Sequence, residues 1–155
     1  LEEEETTIST PSEVAMSLTN TQGWTLSGLI KDSKHWRMVK DAYIESPSVD
    51  ASKITSITIN MRTYGGSTYK TIEFSIAGKK IGELSASNKT LNDYTWKPST
   101  SLTGVGTLRF SSNTNTTENT LFTICSIICD VDKNLSLFFK LTGYAYLYLV
   151  SENPK

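Results

Sequence analysis

The feature that most constrains this chain is a strict two-residue alternation of apolar and polar side chains. In Ile54 to Thr63, Ile57, Ile59 and Met61 fall on one face of an extended chain, and Ser56, Thr58, Asn60 and Arg62 fall on the other. Successive strand side chains point to opposite sides, so this pattern buries one face of a sheet and leaves the other in water. Tyr69 to Ala77 repeats it, with Ile72, Phe74 and Ile76 against Thr71, Glu73 and Ser75. Between them, Tyr64-Gly65-Gly66 supplies the positive-φ positions of a tight turn, so the two segments are expected to form a hairpin.

Shorter alternating segments fill most of the remainder. They are Glu13 to Leu18, Trp24 to Leu26 between Gly23 and Gly28, Ile81 to Ser85, and Asn92 to Trp96 before Pro98. Leu102 to Ser111 and Leu121 to Val131 flank a polar loop, and Leu135 to Leu141 with Tyr144 to Leu149 reads as a hairpin about Gly143. No window of eleven residues carries the i, i+3, i+4, i+7 apolar stripe of a helix. About nine or ten short strands punctuated by Gly, Pro and Asn predict an all-β fold, an antiparallel β-sandwich.

At 155 residues the chain suits one core, expected as a single sandwich domain over residues 13–150 with a tail at 151–155. Residues 1–12, with Glu2 to Glu5 and then Thr, Ser and Pro, are poor in apolar surface and are expected to be a disordered acidic tether. The net charge of −1 gives no positive field for a phosphate backbone, which argues against nucleic acid. No run is long and apolar enough for a membrane-spanning helix.

Several segments together carry a resemblance. Gly23-Trp24 with Gly28, Tyr43-Ile-Glu-Ser-Pro47, the stretch from Ser52 to Gly66, and the closing Ile124-Cys-Ser-Ile-Ile-Cys-Asp-Val131 resemble the jelly-roll modules of secreted and surface proteins from gut Bacteroidetes-type bacteria. The resemblance implies a jelly-roll form of the sandwich, similar to galactose-binding-like and carbohydrate-binding folds. By analogy it implies a binding or adhesion role, and a secreted or outer-surface location. The acidic start would then follow a lipid anchor upstream of Leu1.

Catalytic chemistry has a thin supply. The sole histidine, His35, lies among cations in Lys31 to Arg37, and most carboxylates fall at turns or on outward strand positions. No phosphate-cradling loop is present, since Tyr64-Gly-Gly-Ser lacks the following Lys and helix. No catalytic residue is assigned, and the chain is read as a non-enzyme. Cys125 and Cys129 are four apart on one strand, about 13 Å at the usual rise, too far for a disulfide. They are expected as buried free thiols. Structural calcium is the one cofactor that sandwich loops could hold, with Asp130, Asp132 and the Asn92-Asp93 pair as donors.

Aromatic side chains offer more. Flat rings pack against the C–H faces of sugars while amides, carboxylates and guanidinium groups read the hydroxyls. Candidate ligand-binding residues are Trp36 and Arg37 in a polar segment, Tyr64 at its glycine turn, and Tyr94 with Trp96 on one strand face; Trp24 is assigned to the core. The alternating Tyr144, Tyr146 and Tyr148 form either an exposed stripe or a cross-strand ladder. The leading reading is a non-catalytic glycan-binding or adhesion module. The alternative is a structural or protein-interaction domain of a larger surface protein, with a glycan hydrolase behind both.

Overall fold

The computed structural model describes residues 2–63, 70–86, 89–112, 120–142 and 144–151, with side chains described in 4–63, 70–86, 89–112 and 122–134. Twelve strands follow in chain order: β1 (Glu2–Ser17), β2 (Thr25–Ser27), β3 (Ile30–Lys31), β4 (Trp36–Val39), β5 (Tyr43–Asp50), β6 (Ile54–Thr63), β7 (Lys70–Ile76), β8 (Lys79–Ala86), β9 (Asn92–Trp96), β10 (Val105–Ser112), β11 (Thr120–Thr142) and β12 (Tyr144–Ser151). One 3₁₀ turn, Ala51–Lys53, interrupts them and is capped by Asp50. All described strand pairs are antiparallel.

The strands form two sheets. A five-stranded sheet has the order β2-β5-β10-β7-β8, and a seven-stranded sheet has the order β3-β4-β11-β6-β9 with β1 and β12 also paired to β11. Ile57, Ile59, Met61, Phe122, Ile124 and Ile127 are buried from the larger sheet, opposed by Ile44, Ile72, Phe74, Leu108 and Phe110 from the smaller. Phe74 sits at the seam, 5.5 Å between ring centroids from Phe110 and edge-on to Trp96 at 5.2 Å. Trp24 stacks on Phe110 at 6.2 Å, inside the core as expected. The alternation thus resolves into an antiparallel β-sandwich.

One pairing differs from expectation. The strands β6 and β7 do not form a hairpin; β6 lies in the larger sheet and β7 in the smaller. Each has a single apolar face, so the two can also bury those faces by standing opposite one another across the core. The local hairpin is instead β7–β8, where Ile76 pairs with Lys79 about Ala77 and Gly78. Both central residues take positive φ, 49° and 78°, the requirement of a two-residue turn that matches strand twist. The expected pairing about residue 143 is present, with Thr142 opposite Tyr144.

Strand β5 passes a proline without losing its ladder. A register shift lies between Thr107 and Arg109 where β10 meets β5. There the buried Ser46 hydroxyl accepts the Leu108 N–H at 2.9 Å and donates to the Pro47 carbonyl at 2.7 Å. A buried amide left over by the irregularity is thereby satisfied.

The acidic start also departs from the disordered tether. Glu2 to Ser17 run antiparallel to β11, from Glu2 opposite Leu141 to Ser17 opposite Ser126. Beyond Val131 the strand β11 is flanked by β1 on one side and β12 on the other, forming a three-stranded arm. The cause is the length of β11: its backbone donors and acceptors beyond the sandwich demand partners, which outweighs the low apolarity of the start. Glu3 also stands opposite Lys140, and the Thr10 hydroxyl donates to the Lys133 carbonyl at 3.1 Å.

A Cβ added at Gly82 would lie 2.6 Å from Cζ2 and Nε1 of the Trp96 ring. Gly82→Ala is therefore expected to cost about 1–3 kcal/mol by overpacking. The same substitution in a Trp96→Leu background should cost much less, a coupling that urea denaturation of the four proteins measures.

Candidate functional site

The sandwich separates the sequence-derived candidates. Trp36 and Arg37 lie on β4, while Tyr94 and Trp96 lie on β9, with β11 and β6 between them. Three strand spacings, about 14 Å, keep the pairs apart. Tyr94 and Trp96 stand opposite the buried Ile59 and Ile57 and pack against the core, so they are half-buried rim residues rather than an open platform. Tyr64 lies outside the described residues, as do the side chains of Tyr144, Tyr146 and Tyr148.

Trp36 packs at the core edge with the Lys31 ammonium 5.2 Å from its ring centroid. Its indole N–H, like Nε of Arg37, is buried without a hydrogen-bond partner among the described residues. Asp32 shapes the preceding turn: its Oδ1 accepts the amides of Lys34 and His35 at 2.9 and 3.0 Å. Those backbone donors, Lys34 first, hold the Asp32 carboxyl below its usual range. Its Oδ2 lies 2.8 Å from His35 Nδ1, without the alignment of a hydrogen bond.

A group that the sequence reading missed lies on the outer face of the five-stranded sheet. Burial of Ile44, Leu108 and Phe110 turns their neighbours Tyr43, Glu45, Thr107 and Arg109 outward. The Arg109 guanidinium carbon stands 3.7 Å from the Tyr43 ring centroid, a cation–π stack. Glu45 accepts from the Thr107 hydroxyl at 3.0 Å and from Arg109 Nη2 at 3.5 Å. The neighbouring Lys80 ammonium bridges Glu73 at 3.0 Å and Glu83 at 2.6 Å. A flat ring, a planar guanidinium and both donors and acceptors thus share one open sheet face. Alternation could have flagged Tyr43 as outward, but the partnership with Arg109 needed the β5–β10 register.

The carboxylates do not converge. Glu45, Glu73 and Glu83 occupy the outer face of the smaller sheet, whereas Asp93 and Asp130 lie on the larger. Glu73 and Glu83, opposite one another, share the Lys80 ammonium. The donor set expected for calcium is partial: Asp130 already accepts from Ser56 Oγ at 2.9 Å, and Asp93 from Asn60 Nδ2 at 2.9 Å. Among the described residues no group of three or more His, Cys, Asp or Glu could hold a metal ion.

Both cysteines are free. Burial, reinforced by Asp130, pushes the Cys129 thiol up to about 12, and burial also raises that of Cys125. A thiolate is the reactive species. A thiol-specific reagent at pH 8 should therefore label at most one cysteine of the native protein, Cys125, and both after denaturation. Rapid labelling of Cys129 in the folded protein would contradict this burial.

No family model and no curated protein matches the chain. Solved structures do. A carbohydrate-binding module, CBM36, in complex with calcium and xylotriose has a TM-score of 0.57 at 15% identity, the match covering 75% of this chain and 97% of that one. A CBM6 module from Clostridium stercorarium, in complex with cellobiose, has a TM-score of 0.53 at 11% identity over 74% and 91%. The low-affinity xylan-binding module CBM86 from Roseburia intestinalis has 0.52 at 10% over 77% and 96%. The fold is the jelly-roll sandwich of these modules. Nearly all of each module is matched by about three-quarters of this chain.

Proposed function

We propose that this chain is a non-catalytic glycan-binding module, with its site on the outer face of the five-stranded sheet around Tyr43, Arg109, Glu45 and Thr107. The observation that carries the reading is the ring and guanidinium stacked at 3.7 Å beside a carboxylate on an open face. A polyhydroxylated chain needs that combination of flat surface, donors and acceptors. The shared sandwich supports it as an analogy of fold, since the three similar modules are described with xylotriose, cellobiose and xylan. A secreted or outer-surface setting, with adhesion as its use and a lipid anchor as its tether, belongs to the same proposal.

Trp36 and Arg37 form a second position within this reading. Their buried, unpartnered Nε1 and Nε are donors that a ligand hydroxyl or a water can satisfy.

Calorimetric titration with xylo- and cello-oligosaccharides tests the assignment. Arg109→Ala and Tyr43→Ala are each expected to weaken binding about tenfold, the scale of one charged hydrogen bond or one aromatic contact. Trp36→Ala reports on the second position. No binding of any oligosaccharide at millimolar concentration would refute the function, and full affinity in both the Tyr43 and Arg109 variants would move the site elsewhere. Titrations with calcium and with EDTA decide whether a metal takes part, as one of the similar modules is in complex with calcium and xylotriose.

A further inference from the structure

A cavity of about 230 Å³ opens where the sandwich meets the root of the arm. Strands β1 and β11 form one wall, and the ends of β5 and β10 with the 3₁₀ turn form the other. Val14, Val49, Val105 and Val131 are its apolar lining. Lys53, Asp132, Lys133 and Asn134 line its rim, and their side-chain polar groups make no hydrogen bond or ion pair within the described residues. The other charged member, Asp50, is committed: its Oδ1 accepts the Ser52 hydroxyl at 2.6 Å and the Ser52 amide at 3.0 Å.

We infer that this cavity is a further sugar subsite that takes a single pyranose ring of a neutral glycan. The inference rests on the glycan-binding reading above and adds a place and a ligand size to it. The lining residues include two lysines and two aspartates, so they sum to no net charge and do not favour an anion. The lining lysines and the Ser12 and Ser48 hydroxyls, beside four valines, offer sugar hydroxyls both donors and acceptors and offer a C–H face an apolar seat. The volume falls below the roughly 300 Å³ at which pockets for drug-sized ligands begin, which suits one ring. Lys133 and Asn134 come from the arm side of β11, past the Glu13-to-Val131 stretch whose two sheets form the sandwich. The subsite thus depends on the part of the chain that projects beyond that core.

Amide chemical-shift mapping of the whole chain tests this, using methyl β-xyloside, methyl β-glucoside and glucuronate as probes beside xylotetraose. The neutral monosaccharides should shift the amides of Val105, Lys133 and Asn134. Lys133→Ala should weaken that response about tenfold, as expected for one lost hydrogen bond to a charged group. Val105→Trp fills the cavity from a position already 48% exposed, so the fold should survive it and the cavity response should vanish. The tetraose should bind this subsite no more tightly than the monosaccharide does. If sugars shift only amides around Tyr43 and Arg109, the cavity subsite is refuted while the glycan reading stands. A response to glucuronate tenfold stronger than to the neutral sugars refutes the neutral-ring assignment. Silence toward every sugar refutes both.

Discussion

The backbone ladder of β11 is the constraint on which the larger sheet depends. Four of the other six strands in that sheet hydrogen-bond to it: β4 and then β1 along one edge, β6 and then β12 along the other. A strand of 23 residues exposes donors and acceptors on both sides along its whole length, and each must find a partner or water. The register irregularities fall where its partners adjust, between Thr120 and Phe122 against β4 and between Ile124 and Ser126 against β6. They let Phe122, Ile124, Ile127 and Cys129 all reach the core although the spacing between Ile124 and Ile127 is odd.

That odd spacing marks what was legible in the sequence and what was not. Alternation assigned the inward faces of β6 and β7 residue by residue, because the period of a strand is two regardless of its partner. It could not say which sheet each strand joins. A strand with one apolar face is satisfied equally by a hairpin neighbour or by an opposing sheet, and β6 and β7 take the second course. Composition misread the acidic start for a related reason: low apolarity measures what a segment can bury, whereas the start is held by backbone pairing to a strand over a hundred residues away.

The candidate residues divide along the same line. Trp24 was legible as core because glycines isolate it on a short strand, and it stacks on Phe110. Tyr94 and Trp96 were correctly placed on one face, but the face is the inner one, fixed by their pairing with Ile59 and Ile57. The Tyr43–Arg109 stack joins residues 66 apart in sequence through a bulged register. No local pattern encodes such a partnership, since it arises only when two strands are aligned.

The distribution of charge follows from the two-layer design and bears on chemistry. A sandwich places its ionisable groups on two outer faces separated by a core of about 10 Å, so carboxylates on opposite faces cannot act on one bond. On the smaller sheet Glu45 meets Arg109 and Thr107, and Glu73 with Glu83 meets Lys80. Exposed pairs of this kind contribute little to stability, because water screens them and long side chains lose entropy on pairing. Their consequence lies in tying Glu45 to Arg109 and Thr107, and Lys80 to Glu73 and Glu83, so that donors, acceptors and the Tyr43 ring share one face. Were this face the glycan site proposed above, pairing those side chains beforehand would lower the entropy that binding must overcome. On that reading, contacts too weak to matter for folding would still matter for recognition.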